Sequence, residues 1–144
     1  MSEVTTITRE FPANFKALND AMVALDERVE SLPQAAAYDL RLACEEIFIN
    51  IINYAYPTYE AHKTGGISIT WVDDPNARQT TVTFTDTGIA FNPLDHPIPK
   101  PGRDIARQQI GGLGIMLVRQ RLSGLHYDRV DGKNIFSLTR NWDV

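Results

Sequence analysis

The sequence predicts a two-layer α/β (α+β) sandwich, a mostly antiparallel sheet with its helices on one face. Three observations carry that prediction. Apolar periodicity passes from one strand to two consecutive helices and back to strands, in the order β-α-α-β-β-α-β-β. The connections between the later strands are short, which favours antiparallel pairing. The second helix, finally, is apolar on most sides and must be largely buried.

Val4 to Phe11 alternates Thr and Ile and predicts the first strand. Asn14 reads as an N-cap for a helix on which Phe15, Leu18, Met22, Leu25, Val29 and Leu32 recur at helical spacing, up to Pro33. A second helix runs from about Gln34 to Tyr56, where Pro57 stops it, and a polar loop continues to Gly65-Gly66. Ile67, Ile69 and Trp71 predict a strand, Asp73 to Asn76 a turn, and Val82 and Phe84 a strand that runs into Asp86-Thr87-Gly88. From Phe91 to Gln109 the chain is rich in proline, and so long a connection in a compact domain usually serves as a lid or a binding loop. Gly111-Gly112-Leu113-Gly114 then opens a helix through about Ser123. Strands from Leu125 to Val130 and from Asn134 to Thr139 close the chain, joined by the hairpin signal Asp131-Gly132. Residues 1–144 form one domain on this reading, with a lid over 92–111.

Composition narrows the function classes. A 43% hydrophobic and 22% charged chain is ordinary for a globular domain, and a net charge of −4 with no basic run argues against general nucleic-acid binding. No apolar stretch approaches the roughly 18 residues of a membrane span, and no signal-peptide pattern occurs, so a cytoplasmic location is expected. Cys44 lies within the buried helix, where an apolar setting disfavours the thiolate. The three histidines, His62, His96 and His126, have no zinc spacing.

Four polar residues interrupt the second helix. At roughly 100° per residue, Glu46, Asn50 and Asn53 fall within about 60° on one face, while Glu45 points elsewhere. Such groups are costly on a buried helix unless each has a partner. A polar network tying the helix to a loop satisfies the pattern, and so does a cleft for a polar ligand or hydrated cation. Asp86-x-Gly88 after a strand offers an acceptor suited to an exocyclic amine, although a plain turn uses the same residues. The glycines at 111, 112 and 114 place bare N–H groups at a helix N-terminus, a phosphate-binding arrangement that equally describes a flexible loop feeding a helix. Lys100, Arg103 and Arg107 precede them, where they either reach phosphate oxygens or keep the loop soluble.

In this order the segments become recognisable. Glu46-x-x-x-Asn50 with Asn53 resembles the N-box of the histidine kinase-like (GHKL) ATPase superfamily of gyrase, heat-shock chaperone, histidine kinase and mismatch-repair proteins. Asp86 to Pro93 resembles its G1 box, and Gly112 to Val118 its G2 box. The short chain, the D-x-G-x-x-F-x-P form and the G-L-G-I-x-L-V run are most similar to the anti-sigma-factor serine/threonine kinases of partner-switching systems.

The resemblance implies a Bergerat-type ATP-binding fold with ATP and Mg²⁺ as cofactors. Glu46 would be the general base and Asn50 a Mg²⁺ ligand, with Asn53 beside it. Asp86 would read the adenine amino group and Gly88 let the ring approach. Gly112 and Gly114 would donate to phosphates beneath a lid carrying Arg103 and Arg107. Tyr54 departs from relatives that often carry a basic or imidazole group there. The implied partners are an antagonist protein phosphorylated on Ser/Thr, a sequestered sigma factor or other regulator, and a second copy in a homodimer; neither nucleic acid nor membrane is expected. The competing function is a non-catalytic ATP-switched binding module. A detached histidine-kinase catalytic domain is a third reading, distinguished by an acid-labile product.

Overall fold

The computed structural model describes residues 3–95 and 119–143. Arg103, Arg107, Gly112 and Gly114 lie outside the described residues, as does most of the expected lid. Strands β1 (Thr5–Pro12), β2 (Gly66–Asp74), β3 (Gln79–Asp86), β4 (Gly124–Val130) and β5 (Lys133–Asn141) form one sheet in the order β1-β2-β3-β5-β4, every pairing antiparallel. Helices α1 (Leu18–Val29) and α2 (Gln34–Asn50) supply the second layer. The expected sandwich is what the chain forms.

Period-two alternation decides what the sheet buries. Thr80, Val82, Phe84 and Asp86 of β3 point inward, as do Asn134, Phe136, Leu138 and Arg140 of β5. The middle of that inner face is apolar and packs on Leu40, Ile47, Phe48 and Ile52. Both ends are polar. At one end Asp86 lies directly across from Asn134; at the other Thr80 lies across from Arg140.

The Arg140 end is structural. Its guanidinium is fully buried and donates from Nε to Asp39 Oδ2 at 3.0 Å, while Arg121 holds the other Asp39 oxygen at 2.9 Å. Asp39 sits on α2 and is 2% exposed. The pair therefore ties the start of α2 to the end of β5, where two charges are tolerable only because they meet. Beside it, Thr80 donates to Asp73, which also accepts from the Trp71 indole at 2.8 Å.

Local differences from the sequence reading have local causes. Asn14 does cap, accepting from Ala17 N at 3.0 Å, but it caps a short 3₁₀ turn, Phe15–Ala17, ahead of α1. The loop after Pro57 contains a short helix, α3 (Tyr59–Thr64), capped by Thr58. At the β4–β5 hairpin Asp131 and Gly132 take φ of 50° and 77°, the two positive values a type I′ turn needs.

Candidate functional site

The second helix does not end as an α-helix. After Asn50 it widens into a π-helical turn, Ile51–Ala55, closed by Tyr56 N–H on the Ile51 carbonyl at 3.3 Å. A π-turn is costly and recurs at functional positions. The ring nitrogen Nε2 of His62 on α3 lies 3.1 Å from the Ile52 carbonyl oxygen, bracing the widened turn. Asn53 falls inside this turn and is half-buried, where Asn50 is sealed. The unbroken helix expected to run to Tyr56 thus ends as an α-helix at Asn50, before Asn53.

Asn50 is 1% exposed, and neither its Oδ1 nor its Nδ2 has a hydrogen-bond partner among the described residues. An amide left this way costs about 1–3 kcal/mol unless a water, a ligand or a residue outside the described ones meets it. Glu46 stands one turn earlier and is half-buried. Glu45 points aside and pairs with Arg41 at 3.3 Å, as expected. Cys44 is buried, and burial raises its thiol pKa far above the ordinary range.

Asp86 occupies the last inward position of β3. Its Oδ1 accepts from Gly88 N–H and from Asn134 Nδ2, each at 2.9 Å. Burial pushes its pKa upward, partly offset by the Asn134 amide, the Gly88 N–H and the nearby Arg129 charge.

The chain from Asp86 to Phe91 is fixed at several points. Ile89 N–H donates to the Ala55 carbonyl at 2.9 Å, so the loop docks on the π-turn and joins the Asp86 strand end to the helix carrying Asn50. Gly88 lies so close that a Cβ would sit 2.3 Å from the Ala55 oxygen; its missing side chain serves this docking. Arg129 donates to the Gly88 carbonyl at 2.9 Å from β4. Phe91 stacks on Tyr54 with ring centroids 5.3 Å apart. An open hollow of about 480 Å³ beside the loop is lined by Ala55, Thr87, Gly88, Ile89 and Arg129 among others.

Asn134 is the residue that sequence reasoning missed. Its Nδ2 donates to Asp86 and to the Ile89 carbonyl, and its Oδ1 accepts from Phe91 N–H and Tyr127 OH. All four hydrogen-bonding positions of the amide are in use. A polar residue at an inward position, in phase with Phe136 and Leu138, was the available signal.

Residues 9–140 match the histidine kinase-like ATPase domain family. The chain belongs to that family. It is 30% identical over 103 residues to the serine/threonine-protein kinase BtrW of Bordetella bronchiseptica, a match covering 71% of this chain and 68% of BtrW. Two solved structures share the fold. The RsbU and RsbW domains of a Mycobacterium tuberculosis protein superpose with a TM-score of 0.59 at 12% identity, covering 95% of this chain and 32% of the other. The SiaB–SiaC complex of Pseudomonas aeruginosa gives a TM-score of 0.58 at 16% identity, covering 93% of this chain and 88% of the other. Thus the chain spans about a third of the mycobacterial chain and most of the Pseudomonas chain.

The Ile89–Ala55 bond brings the end of the helix that carries Glu46 and Asn50 beside the end of the strand that carries Asp86. Among the described residues no cluster of three or more His, Cys, Asp or Glu could hold a metal by itself.

Proposed function

We propose that the chain is an ATP-dependent protein serine/threonine kinase of the partner-switching type, which phosphorylates a small antagonist protein and sequesters a second partner, a sigma factor or other regulator. The observation that carries this reading is the buried, unpartnered Asn50 amide, one turn after Glu46, on the helix end where the Asp86 loop is docked. A side-chain carbonyl of that kind suits a hard cation, and bound Mg²⁺ would supply charge neutralisation across the phosphates.

In this reading Asn50 holds Mg²⁺ through Oδ1, and Asn53 orders water next to it. Glu46 accepts the proton of the attacking serine or threonine hydroxyl. Asp86 accepts from the adenine amino group, and Gly88 keeps the loop seated so that the carboxylate faces the ring. Gly112 and Gly114 donate backbone N–H groups to the phosphates beneath a lid over residues 92–111, with Arg103 and Arg107 reaching the same oxygens. Positioning and charge neutralisation do most of the work in phosphoryl transfer, so one carboxylate and one metal suffice.

BtrW is named as a serine/threonine kinase, which supports the choice of acceptor. Among the described residues no helix is long and apolar enough to cross a membrane. We place the protein in the cytoplasm, as a homodimer. The test is incubation with Mg-ATP and candidate antagonists encoded near its gene: an acid-stable phosphoprotein supports the kinase. A silent assay, with nucleotide-dependent capture of a partner, would instead identify a binding module switched by ATP.

A further inference from the structure

The β2–β3 ladder stops one step early, and a side chain stops it. Ile67 pairs with Asp86, so the next antiparallel pair would join Gly66 to Thr87. In place of that pair stands the Tyr56 hydroxyl. It donates to the Gly66 carbonyl at 2.8 Å and accepts from Thr87 N–H at 3.0 Å, standing in for the backbone bond that would otherwise form. One hydroxyl can do both because it carries a donor and two acceptor positions.

The ring reaches this spot because residue 65 is glycine: a Cβ there would lie 2.6 Å from the Tyr56 ring. Tyr56 is itself buried. Parted from β2 at Thr87, the chain turns toward the π-turn, where Gly88 abuts Ala55 and Ile89 bonds its carbonyl.

We infer that Tyr56 is a positioning residue for nucleotide recognition: its hydroxyl holds the end of β3 open and so sets the direction in which Asp86 presents its carboxylate. The inference rests on Asp86 being the reader of the adenine amino group. Without the hydroxyl, Gly66 and Thr87 can satisfy each other by closing the ladder, which draws Thr87 onto β2 and lifts Gly88 from Ala55.

Tyr56→Phe tests this, since it keeps the ring in its place against Gly65 and removes only the oxygen. ATP and GTP affinities are measured by titration for wild type and variant, with amide exchange at Ile89 and a thermal melt alongside. The expected result is a loss of ATP affinity of about 5–10-fold, within the range of one hydrogen bond. It should come with a smaller preference for ATP over GTP, faster exchange at Ile89 and a melting temperature close to wild type. Unchanged ATP affinity, or an equal loss for both nucleotides, overturns the inference and leaves the kinase reading standing. A wild-type chain that binds neither nucleotide overturns the kinase reading, and the inference with it.

Discussion

Asn134 holds Asp86 from directly across the sheet, donating Nδ2 to Oδ1 at 2.9 Å, while the Asn134 oxygen accepts from Phe91 N–H five residues further along the same loop. One buried amide thereby grips both ends of the segment that carries the carboxylate. Its geometry is set before any ligand arrives, which reduces the ordering cost of binding.

That carboxylate has a pH signature. Burial raises the Asp86 pKa in the folded chain, so the folded form keeps its proton to higher pH than the unfolded chain. Its contribution to stability is fully present below the ordinary carboxylate range and is lost as pH rises through the raised folded value. At neutral pH the native protein carries the cost of a buried charge. Asp86→Asn should therefore match or exceed wild-type stability at pH 7, with the gap narrowing on acidification, as denaturation at several pH values would show. ATP binding should be lost, because the new amide can turn a donor toward the adenine donor.

Asn50→Ala removes the amide that has no partner among the described residues. Chemical denaturation without nucleotide should show stability unchanged, or raised by about 1 kcal/mol, because an unpaired buried polar group is removed. The stabilisation conferred by Mg-ATP should vanish. A large loss of stability in the absence of nucleotide would mean that the amide serves the core.

Gly88→Ala puts a methyl group 2.3 Å from the Ala55 carbonyl oxygen, against backbone that cannot easily yield. The loop must lift from the π-turn. ATP affinity should fall at least about tenfold, since Asp86 moves with it, an effect of about 1.4 kcal/mol. Stability should fall by about 1–3 kcal/mol as overpacking. Titration and melting on the same sample report both.

Asp39→Ala takes the carboxylate from Arg140, which is fully buried, and releases Arg121, whose side chain is 48% exposed. Removing one partner of a buried pair costs about 3–5 kcal/mol. Arg121→Ala should cost far less, because Arg140 still neutralises Asp39. Urea titration of the two variants separates them.

What the sequence revealed follows from how local each signal is. Val82, Phe84 and Asp86 alternate within one strand, so the inward carboxylate at its end was readable. Glu46 and Asn50 share a face within a single helical turn, and the break in that helix comes only after Asn50. Asn134 became significant only through the β3–β5 register, which pairs residues nearly fifty positions apart and is not written in either strand. Tyr56 looked like the last apolar residue of a helix; its hydroxyl acquires a role only where Gly66 and Thr87 converge. Helix α3 is six residues long, too short for periodicity to announce it. Arg140 lies one residue beyond the strand expected to end at Thr139, and its buried place depends on Asp39, about a hundred positions away.

The central claim is that Glu46 takes the proton of a protein hydroxyl as ATP transfers its phosphate. The most direct measurement is phosphate transfer from Mg-ATP to the antagonist protein by wild type and by Glu46→Gln, with nucleotide affinity determined on both. The account predicts acid-stable phosphoserine or phosphothreonine with wild type, and none with Glu46→Gln, which still binds ATP. Transfer by Glu46→Gln at the wild-type rate would contradict it.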